Sequence, residues 1–314
     1  TAAENVVVEL TESTMSMVQQ KTVVEEVENS ALEISLDAAR NLLPTAQLGS
    51  VVSIPVKIEN FGRIAAQTAK QVIIQGIREA EQGMVYDEFS SKEHEILTGV
   101  VTRVDPRSGA VSLRIGSGSE ATEAVLPRSE QIPGEELAEG QRARVYVVEV
   151  RRSTRGVQVL ISRSHPGLVR RLFELEVPEI YDGTVEVKSI AREAGSRTKL
   201  AVMSHNPDVD AVGACIGTRG SRVSEIVDEL GGEKIDIVEY SDEPEKFIAA
   251  ALSPANVLSV ETAADGSRSC KVTVPDNQLS LAIGNKGQNA RLAAKLTGWK
   301  IDIKPESGFY GEEE

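Results

Sequence analysis

"IGTRGSRV", residues 216–223, returns as "IGNKGQNA" at residues 283–290. Each copy has an apolar residue, a Gly-x-x-Gly tetrad and a run patterned as a helix. Thr218-Arg219 stand between the glycines of the first copy and Asn285-Lys286 between those of the second. Glycine has no Cβ, so Gly217, Gly220, Gly284 and Gly287 let a second backbone lie close to the loop. The N–H groups that open a helix favour a phosphate. Ser221, Arg222, Gln288 and Asn289, the first residues after the loops, therefore join the candidates for gripping an anion. A bare helical hairpin would also place glycines in its turn. It leaves Arg219 and Lys286, basic at matched positions, without a reason.

Outward from the loops, the similarity continues. "GTVEVKSIAREAGSRTKLAVMS" and "ANVLSVETAADGSRSCKVTVP" each read as a hairpin of two strands, with β-branched residues on both sides of a Gly turn. Ahead of the hairpins lie the helical segments "HPGLVRRLFELEVPE" and "EPEKFIAAALS". After the loops come helical stripes, Val223, Ile226, Val227 and Leu230 ended by Gly231, and Leu292, Ala293 and Leu296 ended by Gly298. "EKIDIVEY" and "WKIDIKPE" close the copies, with one extra residue between loop and strand in the first. The unit is helix, strand, strand, helix, Gly-x-x-Gly, helix, strand, and it occupies residues 166–240 and 241–305. This order resembles a tandem of KH domains in their bacterial, type II arrangement. The resemblance implies that each loop clamps the backbone of about four nucleotides of single-stranded RNA. The copies differ behind the loop. Arg291 and Lys295 share a helix face in the second, where the first has Ser224 and Asp228. The second clamp is expected to hold phosphate better, with Arg222 in place of Asn289 partly compensating in the first.

Residues 94–165 change character. "EILTGVVTRVDPRSGAVSLRI" and the segment ending in "RGVQVLISRS" are short strands between Gly and Pro turns, the pattern of a small barrel. The order resembles the S1 domain, an OB-fold RNA binder. Tyr146 is its candidate for base stacking. Arg151, Arg152, Arg155 and Arg163 cluster near the final hairpin, where they serve either RNA or a solvated strand edge that discourages pairing.

Residues 1–93 read as a strand-and-helix head with a linker helix. "NVVVELTE", "KTVVEEVE" and "GSVVSIPVKIE" are strand-like, and "SLDAARNLL" is a short helix with Ser35 as N-cap. In "FGRIAAQTAKQVIIQGIREAEQG", Phe61, Ile64, Ala65, Thr68 and Val72 form a packing stripe, and Arg63 and Lys70 share a solvated face. The 314-residue chain carries a net charge of -14. Residues 1–93 contribute -7 and the acidic tail 306–314 contributes -4, so the long middle is nearly balanced. Local patches, rather than net charge, decide contact with a polyanion.

The whole is a multidomain α+β chain. A head, one S1 barrel and two KH units in this order resemble the NusA family of bacterial transcription termination and antitermination factors. "PDVDAVGACIGTRGSRV" and "PDNQLSLAIGNKGQNARLAAKLTGWKIDI" carry that resemblance, with "ALEISLDAARNLLPTAQLG" in the head. Family heads usually begin with helices, whereas "TAAENVVV" enters directly in strands and reads as lacking its natural start. The resemblance implies partners: nascent single-stranded RNA, bacterial RNA polymerase and other antitermination factors, bound by a cytoplasmic monomer. It makes Arg63 and Lys70 candidates for polymerase contact. An RNA-binding region of an RNA-processing enzyme, such as polynucleotide phosphorylase, and a ribosome-associated RNA chaperone share these modules. The first needs a catalytic domain for which residues 1–93 are too short.

No catalysis, cofactor, small-molecule substrate or metal is expected. Two cysteines, Cys215 and Cys270, and three dispersed histidines make no four-ligand zinc set. The cysteines read as buried thiols in a reducing compartment, one in each repeat. No apolar run approaches the ~20 residues of a membrane span.

Overall fold

β-Branched runs and their turns set the architecture. The computed structural model describes residues 5–10, 15–56, 63–118, 121–153 and 156–308. They divide into two compact units, residues 1–81 and 82–314.

In the first unit, β1 (Val6–Leu10) pairs antiparallel with β2 (Met15–Val24). β2 also pairs parallel with β3 (Glu33–Ser35) and antiparallel with β4 (Val51–Pro55). Ser35 caps α1 (Leu36–Leu42) by accepting from the Ala38 N–H, as its position before an apolar run suggests. Val23, Ala39, Ala46 and Val52 form a small aliphatic core. α2 (Arg63–Ser90) is the helix read as the linker. Val72, assigned to a packing stripe, is exposed instead. Phe61 and most of the acidic tail lie outside the described residues.

The second unit begins within α2. Phe89 is fully buried in the barrel core, with Val85 and Tyr86 against it. The last turns of the helix therefore belong to the barrel, although the sequence pattern places them with the head. The barrel consists of β5 (Ile96–Val104), β6 (Val111–Ile115), β7 (Thr122–Leu126), β8 (Arg142–Ser153) and β9 (Gly156–Ser162). Their order is β7-β6-β5-β8-β9, and β7 comes back against β9 to nearly close the sheet. Val111, Leu113 and Ile115 point inward while Ser112 and Arg114 do not, the period of two that a half-buried strand requires.

Each repeat folds as its pattern requires. The first has α3 (Pro166–Glu176), α4 (Pro178–Tyr181), β10 (Val185–Glu193), β11 (Arg197–Ser204), α5 (Ala211–Ile216), α6 (Ser221–Glu229) and β12 (Lys234–Glu239). The second has α7 (Pro244–Ala251), β13 (Ser259–Thr262), β14 (Ser269–Val274), α8 (Leu279–Ile283), α9 (Gln288–Thr297) and β15 (Lys300–Pro305). In both sheets an antiparallel hairpin takes a parallel third strand. The repeated Lys-Ile-Asp-Ile puts Asp236 opposite Lys199 and Asp302 opposite Lys271.

No spacer separates barrel and repeats. Ile132 and Tyr146 of the barrel share one core with Leu168, Leu172 and Phe173 of α3. Ala191, Ala201 and Val238 on the first repeat's sheet share a second core with Phe247, Ile248, Leu292 and Leu296 of the second repeat. Polar joints frame these seams. Arg163 is buried, with Nε 2.8 Å from Glu135 and Nη1 3.1 Å from Glu229 of α6. Arg192 and Glu233 form a fully buried pair at 2.9 Å, and Arg192 also donates to the Arg163 and His165 carbonyls.

Tyr146 is not a stacking platform for RNA. Its ring is buried and stacked on His165 at 4.8 Å, and its hydroxyl lies 3.2 Å from His94 Nδ1. Gly167, in the first turn of α3, makes this fit possible. A Cβ there would lie 2.3 Å from Tyr146 Cζ. Gly167→Ala is expected to cost about 1–3 kcal/mol, the usual penalty of overpacking, read by urea unfolding. In a Tyr146→Ala background the same substitution should be nearly neutral. Equal costs in both backgrounds would show that the ring does not set the joint.

Candidate nucleic-acid interface

The two loops have nearly superposable backbones. The first glycines, Gly217 and Gly284, have φ of 74° and 76°. A Cβ on Gly217 would lie 2.7 Å from the Arg222 side chain, and one on Gly284 would lie 2.7 Å from the Asn289 nitrogen. Space and φ both exclude other residues. The basic residues are themselves left-handed, Arg219 at φ 55° and Lys286 at φ 51°. This conformation is uncommon outside glycine, and here it sits at the exposed tip of each loop. Among the described residues neither Arg219 nor Lys286 pairs with a carboxylate. Thr218 and Asn285 are also exposed.

The helices that follow begin without a side-chain cap. Gly220 and Gly287 hold the N-cap positions of α6 and α9 and offer no acceptor to the first N–H groups. The Ser221 and Gln288 N–H groups turn to the Thr218 and Asn285 carbonyls within the loops, and no side chain competes with an external anion at either helix start. Each site thus combines a close-approach glycine turn, one exposed cation and an uncapped helix start, with exposed Ile216 or Ile283 immediately before it.

Other candidates are placed differently. Asn289 is buried and donates to the Ala282 and Leu252 carbonyls at 3.0 Å. Arg222 donates to the Ala214 carbonyl and pairs with Glu179 at 2.8 Å. Both reach back under the loop toward the preceding helix. They brace the loop; Asn289 is buried in that role, whereas the Arg222 side chain stays about 30% exposed. Ser221 is exposed and Gln288 half-buried. Gln288 and Arg291 hold Glu193 of the first repeat, at 2.8 Å and 2.6 Å. Hydrogen bonds from Arg291 and Gln288 keep the Glu193 carboxyl below its ordinary range. Lys295 is exposed on the same face of α9.

The barrel arginines do not form the expected cluster. Arg163 is internal, because its guanidinium is the polar joint between barrel and repeat. Arg151 pairs with Glu149, and Arg152 lies over the Tyr86 ring at 4.3 Å. Neighbours on a strand face opposite ways, so the two do not converge. Arg155 lies outside the described residues, as does the side chain of Arg63; Lys70 is exposed on α2.

Sequence reasoning misses Tyr181, an exposed ring beside a groove of about 440 Å³ lined also by Ile96, Arg171 and Leu175. Buried Ile180 next to it in "PEIY" is the available signal. The thiols are structural: burial pushes Cys215 up to about 12 and Cys270 up to about 11. Among the described residues no cluster of three or more His, Cys, Asp or Glu could hold a metal, and no helix is long and apolar enough to cross a membrane.

These units match known families in the same order. Residues 1–83 match the NusA N-terminal domain, 90–162 the S1 RNA binding domain, 163–240 the NusA-like first KH domain and 244–310 the NusA-like second KH domain. A transcription termination/antitermination protein NusA from Halalkalibacterium halodurans is 56% identical over 288 residues, spanning 92% of this chain and 74% of that protein. This chain belongs to the NusA family. The Bacillus subtilis NusA is 53% identical over 307 residues, spanning 97% of this chain and 81% of that protein. The NusA of Thermus thermophilus is 47% identical over 290 residues, spanning 92% and 73%. The two Gly-x-x-Gly loops therefore sit in the paired KH domains of a transcription termination/antitermination family.

The loops yield a direct test. Thr218→Asp with Arg219→Asp, or Asn285→Asp with Lys286→Asp, should weaken single-stranded RNA binding in fluorescence anisotropy. The log–log salt slope should fall by about 0.7 for each phosphate that the variant no longer neutralises. Asp tolerates a positive φ better than most residues, and exposed substitutions of this kind shift stability by about 0.5 kcal/mol or less. Unchanged affinity in a folded quadruple variant would remove the loops from the interface.

Proposed function

We propose that this NusA-family chain follows the nascent transcript. Its barrel and two KH domains hold single-stranded RNA along one track while the head docks on bacterial RNA polymerase, and it thereby modulates pausing, termination and antitermination. It acts by binding, as a cytoplasmic monomer, without catalysis. The observation that carries this reading is the pair of exposed left-handed cations, Arg219 and Lys286, each on a close-approach glycine turn ahead of an uncapped helix. Such a geometry suits a phosphodiester backbone and leaves bases to the neighbouring apolar residues. The shared cores between barrel, first and second repeat support a single track, because they leave no flexible linker to separate the clamps.

The RNA-contacting set is Gly217, Thr218, Arg219, Gly220 and Ser221 in the first domain. In the second it is Gly284, Asn285, Lys286, Gly287 and Lys295. Exposed Tyr181 adds a ring on which a base can stack. In the head, Lys70 together with Arg63 is the proposed contact with polymerase.

Purified polymerase, transcribing a template with a hairpin pause and an intrinsic terminator, tests this. Added chain should change pause lifetime and read-through and should co-purify with the elongation complex. The quadruple loop variant should keep co-purifying but lose most of the effect on the RNA-dependent events. A chain that neither co-purifies with polymerase nor alters either event would overturn the reading.

A further inference from the structure

The second clamp contains a carboxylate from the first domain. Glu193 ends β10 of the first KH domain, yet its side chain is held by α9 of the second. Arg291 Nε donates to Oε1 at 2.6 Å and Gln288 Nε2 donates to Oε2 at 2.8 Å. Gln288 also reaches Ser196 Oγ at 2.7 Å. Arg291 Nη1 turns to the Lys286 carbonyl at 3.2 Å, so the same guanidinium touches both Glu193 and the loop. Arg291 is about half exposed and Glu193 a quarter exposed, which leaves this pair open to exchange with solvent ions. At the matched positions the first domain has Ser221, Ser224 and Asp228 and lacks these cations.

A carboxylate and a phosphodiester each carry one negative charge and seek the same guanidinium donors. RNA lying on Lys286 therefore meets Arg291 already engaged and Glu193 repelling it. We propose that Glu193 sets the RNA affinity of the second clamp by competing with phosphate for Arg291. The inference rests on the loops being RNA clamps. Glu193 acts through Arg291 and is a positioning residue. Its consequence is that the better-charged clamp is held back by its neighbour, so that the two domains bind RNA more evenly than their cation counts suggest. Occupation of the second clamp also withdraws Arg291 from the seam between the domains, which couples RNA binding to that seam.

The test uses the full 314-residue chain and a fluorescein-labelled single-stranded RNA of mixed sequence, titrated across a range of salt. Glu193→Gln keeps the shape and the hydrogen bonds that an amide can make while removing the charge. It should raise affinity by up to about fivefold, the scale of one exposed ion pair. The log–log slope should steepen by about 0.7, the signature of one further neutralised phosphate. A purely structural role for Glu193 does not move this slope. Both gains should vanish in an Arg291→Ala background and in the Asn285→Asp, Lys286→Asp background. Loop-dependent RNA binding that Glu193→Gln leaves unchanged or weakens overturns this inference alone. RNA binding that ignores both loops overturns the reading beneath it and this inference with it.

Discussion

A buried arginine at the junction of barrel and first repeat organises the RNA-binding half of the chain. Arg163 is the last basic residue of the barrel, and its guanidinium meets Glu135 of the barrel, Glu229 at the end of α6 and the Arg144 carbonyl. Its own carbonyl accepts from Arg192, which is locked to Glu233. Thr198 and the Gly195 N–H fill the remaining acceptor positions of Glu233. Buried ion pairs add little net stability, because desolvation offsets attraction. Removing one member leaves an uncompensated charge that costs about 3–5 kcal/mol. Such a joint chooses one orientation more than it stabilises. α6 begins at the first loop and ends at Glu229, so the orientation it chooses is that of the first clamp relative to the barrel.

The next seam is built the opposite way. Ala191, Ala201 and Val238 are small and apolar, and they let α7 and α9 lie directly on the first repeat's sheet. Lys199, wholly buried there, donates to Asp236 and to the Ser253 carbonyl. Burial pulls its pKa down while Asp236 opposes the shift. By strand register, the matching positions of the second sheet are Glu261, Thr273 and Lys304. Lys271 and Asp302 keep the Lys–Asp register, but the apolar patch is replaced by polar residues. The second sheet therefore does not offer the docking surface that the first one does. Two copies of one motif differ at the few positions that decide whether a face seats a neighbour.

Those differences explain what is legible in the sequence. The repeat order, both loops and the barrel strands follow from periodicity and turn residues, which are local properties. The fate of individual polar side chains does not. Arg163 and Arg151 look alike in "RVYVVEVRRSTRGVQVLISRS", yet one is internal and the other exposed. Contacts distant in sequence, with Glu135 of the barrel and Glu229 of α6, separate them. Tyr146 is ambiguous for the same reason, because a ring that suits stacking on a base equally suits a contact with α3. Asn289 and Arg222 occupy one aligned position and perform one task, reaching a carbonyl beneath the loop with side chains of different length. Chemistry read residue by residue suggests phosphate ligands there, whereas the equivalence of the two positions points to a brace.

The acidity of the chain fits this arrangement. Glu135, Glu179, Glu193, Glu229, Glu233 and Asp236 all face cations within the barrel–KH unit. Most of those cations are arginines that would otherwise add to a diffuse positive surface. Paired in seams, they contribute orientation and little long-range field. Arg219 and Lys286, with no carboxylate partner among the described residues, stand at the loop tips, where a phosphate can reach them. A fully basic surface would attract RNA at many points, with affinity governed by the number of phosphates neutralised. Arg103, Arg107, Arg114, Arg128, Arg142 and Arg268 are also exposed without a carboxylate partner among the described residues, so what sets Arg219 and Lys286 apart is the glycine turn beneath each of them. The seam carboxylates take part of the arginine charge off the surface, and the two loops combine the exposed charge that remains there with a glycine backbone that a second chain can approach closely.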